Sequence, residues 1–477
     1  MAVSGEQYIS RIDHLNNDVW INGKKIEGKL SNHPAFQGVL KSKAVLYDLA
    51  ISKKDMFTFK SPFTKNDVNF SFQKPETKED LEKRMVATQE WAKTNLGLLG
   101  RSPDYVNTGI MALAGSSLLF KKKNKMYDAN ITNIYNRAME NDLSFTHTFI
   151  NPQVNRSISY IDTSDNIIAA KVVRETHDGI IIKGARLLAT QGGITDEVLV
   201  LPGGGNYVED CYIYAFAIPS NTPGLKFICR ESFVYNDSEF DYPLASRFEE
   251  MDSIVVFDNV LVPWDRVFLY KHFDKAFNIF SETQFNTMLL FQAVSRMIIK
   301  TEFILGLSES IVQCINISEF QHVKDKMSEI ITALEILRSL LLSSVHHAKL
   351  NDKNLMIPDS NPLNAAINYY PKIYPRLVGI IQLLGGSGLI LLPNDKQFNS
   401  PLRSYLNNYL QGTNSTAEEK IKLFRIAWDL CMSAFGTRQT HFERFFFGDP
   451  VRIGMGLYSG YPKERYIDMV NKFTTKT

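Results

Sequence analysis

The order of hydrophobic periods along the chain predicts an α+β multidomain fold, helical at both ends and β in the middle. Three observations predict it. Apolar residues recur at helical spacing from about residue 75 to 145, short β-branched runs with turn signals take over between about 155 and 272, and the helical period then returns and holds to the end. The expected parts are a mainly helical segment with a short hairpin over 1–145, a β segment over 146–272, and a helical bundle with its tail over 273–477.

Each element follows from local sequence. VWINGKKIEGKL reads as a hairpin, because Asn22-Gly23 between apolar positions suits a two-residue turn. KPETKEDLEKRMVATQEWAKTN sets Leu81, Met85, Val86 and Thr88 to Trp91 among charges at helical spacing, and Asn107 to Leu119 continues as a buried helix rich in small residues. In NIIAAKVVRETHDGIIIKGARLLAT two β-branched runs join at His177-Asp178-Gly179, and CYIYAFAIP, LKFICRESF and DSIVVFDNVLVP supply further strands. QHVKDKMSEIITALEILRSLLLSSVHHA places Val323, Met327, Ile330, Ile331, Leu334, Leu337 and Leu341 on one face of a long helix.

Bulk composition narrows the partners. Lys and Arg number 53 against 51 Asp and Glu, a formal charge of +2, so no basic excess points to nucleic acid or an anionic membrane. Cys211, Cys229, Cys314 and Cys431 are far apart and lack metal-ligand spacing, so neither a metal nor a disulfide framework is expected. MAVSGEQYIS has no apolar run after a basic cluster, and glycines break the most apolar stretch, Leu377 to Leu392. The expectation is a cytoplasmic protein with reduced thiols.

Two clusters could carry chemistry. SFTHTFINPQVNR, Ser144 to Arg156, gathers hydroxyl, imidazole, amide and guanidinium groups that could bind a planar, partly anionic ligand, or could equally satisfy the backbone of an interdomain crossover. Arg101-Ser-Pro-Asp-Tyr105 offers a permanent cation beside a phenol, whereas Ser102 and Pro103 also read simply as a helix start. Gly203-Gly204-Gly205, Gly385-Gly386-Ser387-Gly388 and Gly448-Asp449-Pro450-Val451-Arg452 are not nucleotide fingerprints. No nucleophile elbow is present, and the adjacent His346 and His347 point to different helix faces.

Taken in chain order, VWINGKKIEG, NHPAFQGV, LYDL, GRSPDY, THTFINPQVNR, GARLLATQGGITDEVLV, VVFDNVLVPWDRV, QLLGGSGL and FFFGDPVR resemble the motifs of the 4-hydroxyphenylacetate 3-monooxygenase oxygenase family over nearly the whole chain. The resemblance implies an acyl-CoA-dehydrogenase-like subunit: N-terminal helical domain, middle antiparallel β-barrel or sandwich, C-terminal helical bundle, assembled as a homotetramer. It also implies ortho-hydroxylation of 4-hydroxyphenylacetate or a related phenol to a catechol. FAD would arrive as FADH2 from a separate NADH-dependent flavin reductase, with O2 as co-substrate and a C(4a)-hydroperoxide as oxidant. Residue by residue, the resemblance makes Arg101, Tyr105 and His147 catalytic and substrate-binding, and puts Gly203 and Gly204 on the substrate side. Its flavin contacts fall on His147, Thr148, Phe149, Gln153, Val154, Asn155, Arg156, Thr190, Gly448, Asp449, Pro450 and Val451, with Thr190 beside the flavin N5 edge and Arg156 beside phosphate.

One departure bears on substrate. The loop Pro202-Gly203-Gly204-Gly205-Asn206 lacks the small hydroxyl residues with which phenylacetate hydroxylases recognise a carboxylate, leaving a halogenated or other para-substituted phenol open as an alternative. A catalytically idle flavin-binding paralogue is the alternative of another class. A 4-hydroxybutyryl-CoA dehydratase would need cluster-ligating cysteines in the N-terminal part, and none precedes Cys211. The THTFINPQVNR constellation argues against an ordinary acyl-CoA dehydrogenase.

Overall fold

The structure, a computed structural model, describes residues 1–154, 167–203, 209–235 and 238–474. The α+β order expected from the sequence is the order found: helices dominate up to Asn141, strands from Phe145 to Tyr270, and helices from Phe273 onward.

The first hairpin forms as expected. Strands β1 (Val19–Ile21) and β2 (Lys24–Lys25) flank Asn22 and Gly23, whose φ values of 52° and 74° are the left-handed pair that a tight hairpin turn requires. Its place in the fold was not legible. β1 adds in parallel to a distant strand through Val19↔Phe227 and Trp20↔Ile228, so an N-terminal hairpin becomes the edge of the central sheet. A separate hairpin pairs β3 (Thr58–Lys60) with β4 (Asp67–Asn69).

The remaining strands are β5 (Phe145–Thr148), β6 (Lys171–Glu175), β7 (Gly179–Thr190), β8 (Glu197–Val200), β9 (Tyr214–Pro219), β10 (Leu225–Cys229), β11 (Asp252–Pro263) and β12 (Val267–Tyr270). They make a six-stranded sheet, β2-β1-β10-β11-β7-β6, and a four-stranded one, β12-β9-β8-β5. Pairing is antiparallel except at β1–β10 and β5–β8. Long connections separate the strands of both parallel pairs, as parallel pairing demands.

The helices corrected two expected faces. In Lys78–Thr94 the buried stripe is Leu81, Arg84, Thr88 and Trp91, whereas Val86 is exposed. Arg84 takes a core position by donating to the Ser71 carbonyl and to Thr108 Oγ1, at 3.3 and 3.0 Å, which an apolar count cannot foresee. Pro103–Gly115 is buried on every side against Phe285–Cys314, but it ends at Gly115, and Leu118 beyond it is exposed. Phe285–Cys314 in turn packs on Gln321–His346 and Ser360–Gly385 to form the C-terminal bundle. No helix among the described residues is long and apolar enough to cross a membrane.

Candidate active site

A cavity of about 420 Å³ opens where the start of helix Pro103–Gly115, β5, the adjoining ends of β7 and β11, the junction of helices Phe273–Glu282 and Phe285–Cys314, and helix Ala434–Phe445 with the turn after it meet. Its wall includes Arg101, Tyr105, His147, Thr148, Phe149, Thr190 and Gly448 of the residues singled out from sequence.

Arg101 stands in the loop before the helix. The loop is shaped by Gly97, at φ +69° and with backbone of Arg296 and Lys300 where a Cβ would go, and by Gly100, against which the Phe442 ring lies. Glu250 anchors it, accepting from the backbone N–H of Gly100 at 2.9 Å and of Arg101 at 2.8 Å. Ser102 occupies the N-cap position and Pro103 the first turn, as expected, yet the Ser102 hydroxyl donates to Asp104 instead of capping the helix.

The Arg101 side chain is then directed between two rings. Its guanidinium carbon lies 4.4 Å from the centre of the Tyr105 ring and 4.3 Å from that of Phe446. Nε and Nη1 are buried without a hydrogen-bond partner. Burial lowers the pKa of this guanidinium from its ordinary value, although arginine stays protonated at any working pH. A buried cation with unspent donors in a cavity wall is a built receptor for an anionic oxygen.

His147 enters on β5 by strand alternation. Thr146 and Thr148 donate to the backbone carbonyls of Thr190 and Leu187, at 2.7 and 2.9 Å, which turns His147 to the opposite side. There its ring centre is 5.8 Å from that of Tyr105 and 5.6 Å from that of Phe149. Burial, and then the positive charge of Arg101, hold its pKa well below 6.5, so the imidazole is neutral. Burial raises the Tyr105 phenol above its ordinary value while Arg101 opposes the rise, so this hydroxyl also stays protonated.

Thr190 closes the far side. Its hydroxyl donates to Asp252 Oδ1 at 2.8 Å, and Arg438 grips the same carboxylate with Nε on Oδ2 and Nη2 on Oδ1, both at 2.8 Å. Burial alone would raise the Asp252 carboxyl, but Arg438 and then Arg230 override it and hold the group below the usual carboxylate range.

The other expected positions among the described residues are not in the cavity wall. Gln153 and Val154 are exposed, and Gly203 packs against Arg186 and the Phe149 carbonyl. Asp449 spends its side chain capping helix Pro450–Gly460 through Val451 N at 2.8 Å, with Pro450 in the first turn and Val451 exposed. Asn155, Arg156 and Gly204 lie outside the described residues. The Gly385–Gly388 run ends helix Ser360–Gly385 without lining the cavity.

Sequence reasoning missed Asp252, Arg438, Phe442, Phe446, Phe280 and Phe285, which also line the wall. A signal was present for some of them. Arg438, Phe442 and Phe446 follow one another at four-residue spacing in RQTHFERFFFG, a helix face too aromatic to be meant for water. Behind it, Glu443 is fully buried and accepts from Arg296 Nη1 and Nη2 at 2.7 and 2.9 Å and from Lys300 Nζ at 2.7 Å, fastening this helix to Phe285–Cys314.

Known proteins share this fold, and several share much of the sequence. Residues 4–269 and 276–475 match the families described as 4-hydroxyphenylacetate 3-hydroxylase N terminal and C terminal. The chain is 48% identical over 474 residues to a Bacillus subtilis protein named "Probable 4-hydroxyphenylacetate 3-monooxygenase", covering 99% of this chain and 98% of the relative. It is 46% identical over 476 residues to the oxygenase component of 4-hydroxyphenylacetate 3-monooxygenase from Geobacillus sp., covering 99% and 96%. The solved oxygenase component complexed with FAD and 4-hydroxyphenylacetate is 40% identical with a TM-score of 0.95, covering 99% of this chain and 98% of that one. An archaeal 4-hydroxybutyryl-CoA dehydratase, 16% identical with a TM-score of 0.89 over 100% and 96% of the two chains, shares the fold alone. Matched along both halves and at this identity over its whole length, the chain belongs to the 4-hydroxyphenylacetate 3-hydroxylase family.

Proposed function

We propose that this chain is the oxygenase component of a two-component aromatic monooxygenase that converts 4-hydroxyphenylacetate, or a phenol close to it, to a catechol with reduced FAD and O2. The observation that carries the reading is the Arg101 guanidinium, buried beside neutral His147 and Tyr105 in an aromatic-walled cavity with its Nε and Nη1 unpartnered. The residues present suit a flavin: flat walls for a ring system, a hydroxyl at Thr190, and backbone approach at Gly448, whose φ is +112°. His147, Thr148, Phe149, Thr190 and Gly448 would hold the ring, with Gln153 and Val154 nearby and Asn155 and Arg156 toward the phosphates.

Bound FADH2 supplies the activation of O2; the chain's own groups prepare the phenol. Arg101 favours ionisation of the bound phenol, and neutral His147, donating a ring N–H, helps Arg101 stabilise the phenolate oxygen, raising electron density at the ortho carbon. Tyr105, kept protonated, donates to the same oxygen. Phe280, Phe285, Phe442 and Phe446 keep water away from the reacting atoms.

The reading extends to partners. Reduced flavin comes from a separate NADH-dependent reductase, the subunit works in the cytoplasm as a homotetramer, and the units 1–145, 146–272 and 273–477 are its domains. Purified protein with FAD, a flavin reductase, NADH and a panel of phenols headed by 4-hydroxyphenylacetate is expected to yield a catechol. Stoichiometric peroxide with no product across the panel, halogenated phenols included, would overturn the proposal.

A further inference from the structure

Glu250 is fully buried, and three distant parts of the chain converge on its carboxylate. Oε2 accepts from Gly100 N at 2.9 Å, and Oε1 accepts from Arg101 N and from Gln191 Nε2, both at 2.8 Å. Arg438 Nη1 stands 3.6 Å from Oε2. One side chain thus joins the loop before helix Pro103–Gly115, the residue that follows β7, and helix Ala434–Phe445.

The Arg101 side chain depends on this junction. Its Nε and Nη1 are unpartnered, and the rings of Tyr105 and Phe446 stabilise the guanidinium on its faces without setting how far it reaches. Reach follows from the backbone. Arg296 Nη1 and Gln439 Nε2 hold the carbonyls of Gly97 and Leu98, at 2.9 and 3.0 Å, but the N–H of Arg101 itself goes to Glu250. Glu250 also acts through space: burial lowers the pKa of the guanidinium, and Tyr105 and then Glu250 oppose that fall. A carboxylate suits the junction because it only accepts, whereas an amide carries two N–H groups and must set them against the Gly100 or the Arg101 N–H.

We propose that Glu250, which is not in the cavity wall, is a positioning residue for hydroxylation: it sets the Arg101 backbone so that the guanidinium meets the phenolic oxygen. This rests on the reading that Arg101 holds that oxygen. Two ways of acting on Arg101 predict opposite signs. Working through the backbone, Glu250 keeps the cation against the phenolate, so its loss raises the pKa of a bound phenol. Working by charge alone, it disfavours the phenolate, so its loss lowers that pKa.

The first test titrates 4-nitrophenol bound to the full-length protein against pH, reading the phenolate by its visible absorption. Wild type is expected to bind it with its pKa lowered, and Glu250→Gln should bring that pKa back up toward the value of free 4-nitrophenol. A pKa that falls further, or does not move, in the folded variant would overturn the proposal.

The second is a double-mutant cycle with Arg101→Lys, read as kcat/KM for 4-hydroxyphenylacetate at saturating reduced flavin. Glu250→Gln alone should lower it about tenfold or more, yet cost no more than about twofold once Arg101 is lysine, because a residue that acts through Arg101 has nothing left to position. Full additivity of the two losses would show a merely structural residue and overturn the proposal. Should Glu250→Gln not fold, Glu250→Asp, which keeps the charge and draws the oxygens back by one methylene, replaces it in both measurements with the same outcomes expected. Wild type that leaves the pKa of 4-nitrophenol unlowered would remove the reading of Arg101 and this inference with it, whereas the other failures leave that reading standing.

Discussion

Arg101 lies over the ring of Tyr105, its guanidinium carbon 4.4 Å from the ring centre, and it holds that position while leaving Nε and Nη1 unpaired. The rings of Tyr105 and Phe446 do the work that a carboxylate does in an ordinary buried arginine: they stabilise the planar cation on its faces and leave its edge for a ligand.

Arg101→Lys is therefore not a conservative change. An ammonium can neither stack between two rings nor present two parallel donors, so kcat/KM for the phenol is expected to fall about ten- to a hundredfold, equivalent to about 1.5–3 kcal/mol. Steady-state kinetics with saturating reduced flavin measures the loss. An Arg101→Lys enzyme of wild-type efficiency would remove the cation from substrate binding.

His147→Gln should still bind reduced FAD but release peroxide in place of catechol, read as the ratio of product formed to oxygen consumed. The same substitution tests the charge state. Below pH 6.5 the unfolded chain takes up a proton that folded His147 refuses, so this residue costs stability as pH falls through 6.5 toward its depressed folded value. Denaturant midpoints between pH 7 and pH 5 should decline less steeply in His147→Gln than in wild type. An identical slope in the two proteins would mean that His147 charges normally in the fold.

Glu443 has no contact with the cavity, yet it supports the helix that carries Arg438, Phe442 and Phe446. Arg296 and Lys300 hold its carboxyl down to about pH 2 against the opposing effect of burial. Glu443→Gln leaves two buried cations without their counter-charge, and a cost of about 3–5 kcal/mol is expected, measurable by urea denaturation at pH 7. A loss below about 1 kcal/mol would show that this cluster relaxes readily and is not what fastens the helix.

Sequence and structure divide their contributions along physical lines. Turns and periods are local properties, so Asn22-Gly23, His177-Asp178-Gly179 and the helical order of Gln321–His346 could be read in advance. Burial of charge is not local. Arg84, Glu250 and Glu443 look like surface residues in the sequence and are core residues in the fold, because their partners come from elsewhere in the chain. The candidate site shows the same split.

By itself the sequence determined the α+β order and, through its ordered motifs, the family; Arg101, Tyr105 and His147 stood out because their motifs gather polar and charged groups, whereas Thr190 was pointed to by the family resemblance alone. Only the tertiary structure decided that Arg438 meets Asp252 across 186 positions of chain. It likewise decided that Phe446 closes over Arg101, and that His147 is neutral. Those facts depend on desolvation and on charge brought close through space, neither of which a linear pattern encodes.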